Sequence, residues 1–149
     1  MVLAVWAAQV SDLSGTWVLN VQKSHWGKHP KPESATVTIE HHEPALKYSG
    51  KVVSAAGQSG EDGANVQIFT FEGAVDGKEY PATGALGPGT LAIRRVSPST
   101  IASDYKSRDG TLTETAKTTI SADGKVLVRD LHEKGPAGEM SWTEVYQRQ

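Results

Sequence analysis

Between residues 112 and 133 the chain reads Leu-Thr-Glu-Thr-Ala-Lys-Thr-Thr-Ile-Ser-Ala-Asp-Gly-Lys-Val-Leu-Val-Arg-Asp-Leu-His-Glu. Two runs rich in Thr, Val, Ile and Leu, residue types that suit a pleated sheet, flank Ala122-Asp123-Gly124-Lys125. Asp-Gly accepts the positive φ angles of a tight reversal, so this stretch predicts a β-hairpin. Asp62-Gly63, Asp76-Gly77 and Asp109-Gly110 repeat the signal, and Gly87-Pro88-Gly89 and Ser97-Pro98-Ser99 add two more breaks.

Working outward, the same reading places strands at residues 15–22, 35–42, 46–55, 66–72, 79–83, 91–96, 100–106, 112–121, 126–133 and 141–147. No 11-residue window has helical periodicity; the nearest, around 24–33, is interrupted by Pro30 and Pro32. Short antiparallel strands joined by tight turns predict an all-β fold. The preferred form is an up-and-down barrel of about eight to ten strands around a central cavity, because closure removes exposed edges. The strand aromatics Trp17, Tyr48, Phe69, Phe71, Tyr105 and Trp142 are expected in the interior. Ten aromatic side chains in 149 residues fit a hollow barrel better than a filled sandwich.

Composition narrows the function. A chain of 149 residues with 38% apolar and 21% charged residues is one ordered domain, here expected over residues 14–149. Residues 1–13 form a separate N-terminal segment. Its MVLAVWAAQ start reads either as the remnant of an export signal or as a cap on the barrel. Export would place the protein in the periplasm or outside the cell, and a cytoplasmic location stays open. No apolar run reaches 18 residues, so no membrane span is expected. A net charge of −2 without a block of Lys or Arg excludes a nucleic-acid footprint. With no cysteine, disulfides, thiolate metal sites and thiol nucleophiles are absent.

The opening Asp12-Leu13-Ser14-Gly15-Thr16-Trp17 resembles the Gly-x-Trp signature that starts the first strand of lipocalins and their calycin relatives. The longer run from Gly15 to Ser24, with Asp76-Gly77-Lys78-Glu79-Tyr80-Pro81 and Ala122-Asp123-Gly124-Lys125, is similar to small bacterial lipocalin-like proteins of unknown function. The resemblance implies a barrel whose cavity holds a small, mostly apolar molecule. It also implies that Trp17 plugs one end and packs on a basic residue near the last strand, with Arg148 as candidate and Arg129 as competitor. The similar bacterial proteins usually have apolar residues where Leu127, Arg129 and Leu131 stand, so Arg129 is a departure that would put a cation inside.

Strand alternation supplies the candidate site. Val37 and Ile39 are in phase with His41; Leu91 and Ile93 with Arg95; Leu112 with Glu114; Trp142 with Glu144 and Tyr146. If these faces point inward, Arg95 is expected to pair with Glu114 or Glu144, because a buried charge needs a partner. In residues 126–133, the Leu127/Arg129/Leu131 face is preferred inward; the other face would instead bring in Asp130 and His132. Tyr48, Phe69, Phe71, Arg95, Tyr105, Arg129, Trp142 and Tyr146 are thus the candidate ligand-binding residues. Arginine suits a ligand carboxylate. Glu114, His41 and His132 are the candidates for general acid–base work in an alternative reading as a cavity isomerase, cyclase or hydrolase. A third reading is an extracytoplasmic interaction module with a filled barrel. No cofactor is expected. The spacing of His25 and His29 and the adjacent His41-His42 do not make a metal site. Expected partners are a small hydrophobic or amphipathic ligand and, at most, further copies in a small homo-oligomer.

Overall fold

The computed structural model describes residues 9–54, 66–83 and 87–149. The expected Asp62-Gly63 turn, the end of the expected 46–55 strand, most of the MVLAVWAAQ segment and Gly84-Ala85-Leu86 lie outside them.

Among the described residues ten strands follow one another without a helix: β1 (Gly15–Leu19), β2 (Pro32–His42), β3 (Ala45–Ser54), β4 (Val66–Ala74), β5 (Glu79–Thr83), β6 (Gly89–Ser97), β7 (Thr100–Ser107), β8 (Thr113–Ile120), β9 (Val126–Gly135) and β10 (Gly138–Arg148). Each pairs antiparallel with its neighbours in sequence, and β1 closes on β10, giving a complete up-and-down barrel. Among the described residues the seam between β4 and β5 is the shortest, with Thr70↔Thr83 and Phe71↔Ala82 in register.

The three described Asp-Gly pairs all reverse the chain, with φ of +76° at Gly77, +75° at Gly110 and +73° at Gly124. In each, the aspartate Oδ1 accepts the amide N–H two residues on: Lys78, Thr111 and Lys125, at 2.9–3.0 Å. Ser107 and Ser121 lock two of the turns by donating to Asp109 and Asp123 and accepting from Leu112 and Val126. These bonds hold the carboxyls of Asp109 and Asp123 below the ordinary range.

β1 is three residues shorter than expected. After Leu19 the Asn20 amide bonds Val145 O at 2.7 Å, Ser24 donates to Asn20 O, and His25 bridges to Thr143. Residues 20–31 therefore climb along β10 instead of continuing as a strand. β2 begins at Pro32, earlier than expected.

One end of the barrel is closed. Trp17 has no exposed surface, and its indole N–H donates to Leu13 O at 3.0 Å. The Arg148 guanidinium lies over the indole, 4.5 Å from the ring centroid, and donates to the carbonyls of Ser14, Asp12 and Gly124. Gly15, at φ +132°, lies directly beneath Arg148, with the guanidinium Nη1 3.4 Å from where a Cβ would stand. The last described N-terminal residues cross the same end, with the Ser11 amide bonded to Pro98 O.

Candidate functional site

Above Trp17 the barrel is hollow. A cavity of about 420 Å³ extends from Leu13 and Trp17 to Pro30, Ser54 and Gln67 at the opposite end. That volume is within the range of small-molecule sites. Its walls are mostly apolar, contributed by alternate residues of nearly every strand, such as Val37 and Ile39 from β2, Leu91 and Ile93 from β6, and Leu127 and Leu131 from β9. Trp26 and His29, from the segment between β1 and β2, cover one side; His29 stacks on Trp142 with centroids 4.0 Å apart.

The register groups the interior polar residues by level. Thr118, Arg129 and Glu144 share one row across β8, β9 and β10. Arg129 Nη1 donates to Glu144 at 3.2 Å and its Nε to Thr118 at 3.4 Å. Glu144 also accepts the Trp142 indole N–H at 2.9 Å and the Tyr146 hydroxyl at 3.2 Å. Thirty per cent of the Arg129 side-chain surface stays accessible, and because Arg129 lines the cavity, that surface faces the lumen. Burial is the largest single influence and pulls the guanidinium pKa down, but Glu144, Tyr146, Glu114 and Tyr48 together outweigh it, so Arg129 remains charged. Burial and the Glu144 charge push the Tyr146 hydroxyl far up.

Two rows away, past Ser103, Ala116, Leu131 and Trp142, Tyr105, Glu114 and Glu133 stand side by side on β7, β8 and β9. The separation along the strands is roughly 13 Å. Burial raises the Glu114 carboxyl to about 7; Arg129 opposes the shift, while Glu144 and Glu133 add to it. Glu114 makes no hydrogen bond or ion pair among the described residues. On the facing wall, burial raises the Tyr48 hydroxyl to about 12. Tyr105 donates to Gly87 O at 2.9 Å.

Of the residues singled out from sequence, Tyr48, Phe69, Tyr105, Glu114, Arg129, Trp142 and Tyr146 line this cavity. The inward face of β9 is Leu127, Arg129 and Leu131, and it continues to Glu133. Three placements differ from expectation, and a fourth candidate, His132, falls on the β9 face opposite the one expected inward. Arg95 is in phase with Leu91 and Ile93 but lies beyond the lumen at the closed end, where Glu43 grips it bidentately at 2.7 and 3.0 Å. It pairs with neither Glu114 nor Glu144. His41, 3% exposed, sits at the same end, its Nδ1 accepting from Leu13 N–H and its Nε2 2.6 Å from Glu43. Strand phase carries both residues past the Trp17 plug, so they face inward without reaching the cavity. The Arg95 guanidinium, with His41 adding to it, holds the Glu43 carboxyl below its ordinary range against the opposing effect of burial. Phe71 is buried in the wall between Tyr48 and Tyr80. His132 is on the outer face, bonded to Ser141 and 3.4 Å from Glu139.

Sequence reading missed Glu133 and Thr118 as lumen residues, although period-two alternation from Leu127 and Glu114 points to both. It also missed Glu43, which lies in a turn where alternation gives no signal. Among the described residues no group of three or more His, Asp or Glu comes together to hold a metal ion.

No family model and no curated relative matches the chain. Solved structures do. A zebrafish ileal bile acid-binding protein complexed with cholic acid superposes with a TM-score of 0.61 at 13% identity, covering 93% of this chain and 100% of that one. A Schistosoma mansoni fatty acid binding protein in complex with arachidonic acid gives a TM-score of 0.61 at 12% identity, covering 95% and 98%. Rv2717c from M. tuberculosis gives 0.53 at 18% identity, covering 92% of each chain. At these identities the likeness shows the fold alone: a closed, ten-strand, antiparallel up-and-down barrel.

Proposed function

We propose that this barrel binds one small, mostly apolar molecule with a polar end, and carries or stores it. The observation that bears the reading is the hollow lumen of about 420 Å³, apolar along its walls and polar at two levels. The neighbours hold cholic acid and arachidonic acid, which supports use of the same interior here. Tyr48, Phe69, Tyr105 and Trp142 would contact the apolar body, and the Arg129–Glu144–Tyr146 group would meet a polar atom. An open lumen leaves little to support a filled interaction module.

The test is titration with an environment-sensitive apolar dye, followed by displacement with apolar competitors. Saturable binding at one site per chain, weakened by Leu131→Trp, which fills the lumen from its wall, is the expected result. A folded protein that binds no dye or competitor saturably would refute the reading.

One observation favours a second reading as an enzyme: Glu114, facing the lumen without a hydrogen-bond partner among the described residues, has a carboxyl raised to about 7, where a general acid–base works best. Turnover of enolisable ketones or activated esters, lost in Glu114→Gln, is its test; activity retained in that variant would exclude Glu114 from the chemistry.

A further inference from the structure

The lumen's charges do not balance, and on the cavity-binding reading above this selects among ligands. Its described walls carry one guanidinium, Arg129, against three carboxyl groups, Glu114, Glu133 and Glu144. The Arg129 charge is already met by Glu144, 3.2 Å away, with Thr118 beside it. Glu114 and Glu133 are direct cross-strand neighbours on the same interior face, a placement in which like charges repel. No lysine or arginine of the lumen pairs with either among the described residues. Tyr48, deeply buried across the lumen, likewise has its hydroxyl without a hydrogen-bond partner among the described residues. Three interior groups thus offer oxygen acceptors, with no donor assigned to them.

We propose that the cavity selects a small apolar amine, its ammonium seated between Glu114 and Glu133, over an apolar carboxylate of the same size. An ammonium presents three donors and no acceptor, which suits two adjacent carboxylates. A ligand carboxylate would add a fourth acidic group to those of the described walls, whose one guanidinium is already neutralised by Glu144, and poor solvation there strengthens the repulsion. The apolar Leu131 and Trp142 line the lumen next to this position and take the chain of the ligand.

The pH dependence distinguishes the two ligands. The groups facing Glu114 are Tyr105 on β7, Arg129 and Glu133 on β9, Glu144 on β10 and Tyr48 on β3. Both tyrosines are raised by burial and stay protonated near neutrality. An ammonium beside Glu114 favours its ionised form, so amine binding releases a proton and tightens as pH rises through about 7. Carboxylate binding weakens over the same range.

The experiment displaces a bound apolar dye with decylamine, decanol and decanoate, each below its aggregation threshold, at pH 6, 7 and 8. It compares the wild-type chain with Glu114→Gln, Glu133→Gln and the double variant, all near-isosteric and checked for fold by circular dichroism. The amine is expected to bind about tenfold more tightly than decanoate at pH 8, as for one charge-assisted contact. It should tighten several-fold from pH 6 to 8, and the double variant should abolish both the preference and the pH dependence. Decanoate binding tightest to the wild type, or an unchanged amine-to-carboxylate ratio in a double variant that still binds dye, overturns this inference alone. Failure of every competitor and of the dye to bind saturably overturns the cavity reading with it.

Discussion

Glu144→Gln tests the interior polar cluster most directly. The substitution keeps the shape of the side chain and one oxygen for the Trp142 indole N–H, replaces the oxygen that meets Arg129 and the Tyr146 hydroxyl with an NH2, and removes the charge opposite Arg129. Arg129 is left with the 3.4 Å contact to Thr118. Removing one partner of a fully buried ion pair costs about 3–5 kcal/mol. Here 30% of the Arg129 and 12% of the Glu144 side-chain surface face the lumen, where water can solvate the orphaned guanidinium. A loss of about 2–3 kcal/mol follows, or a melting temperature lower by about 5–10 °C for a chain of this length. Urea denaturation followed by tryptophan fluorescence measures it. Arg129→Met combined with Glu144→Gln removes the orphaned cation and should recover at least about half the loss, a non-additivity expected of residues in contact. Glu144→Gln should also free Arg129 for a ligand carboxylate and tighten decanoate binding about tenfold. A single variant within about 0.5 kcal/mol of wild type, or strictly additive costs in the double, refutes the claim that this pair is coupled in the lumen.

Three further outcomes are expected. Trp17→Ala, which empties the plug and removes the indole bond to Leu13, should cost about 4 kcal/mol in denaturation, and Trp17→Phe substantially less. Because the folded Glu114 carboxyl sits at about 7 against 4.5 in a model peptide, the stability it contributes is present below pH 4.5 and is lost as pH rises to about 7. Stability measured between pH 5 and 8 should therefore fall with pH, and Glu114→Gln should flatten the slope; an unchanged slope would count against the assignment. Gly124→Ala, forced into φ +73° with open space around it, should lose about 1–2 kcal/mol through backbone strain alone, read from its shifted urea midpoint.

The strand pattern and the turns were legible because both are local. An Asp-Gly pair needs only its own backbone to reverse the chain, and alternation along 126–133 offers only two faces. The chemistry of the interior was less legible. Arg95 and Arg129 have the same inward phase on their strands, yet one ends beneath the Trp17 plug against Glu43 and the other in the lumen against Glu144. Nothing in the strand itself separates them, since height along the barrel axis depends on the register of all ten strands. His41 was misplaced for the same reason.

By itself, then, the sequence determined an all-β chain, its described reversals at Asp76-Gly77, Asp109-Gly110 and Asp123-Gly124, and the alternation that makes Arg129 a core-facing cation once one side is buried. Those features follow from φ/ψ preference and side-chain period, which neighbouring residues set. Only the tertiary structure decided that the barrel is hollow, that Arg148 rather than Arg129 covers Trp17, and that Glu114 and Glu133 share a row without a cation. These depend on how strands distant in sequence stagger against one another when β1 closes on β10, and closure is a property of the whole sheet.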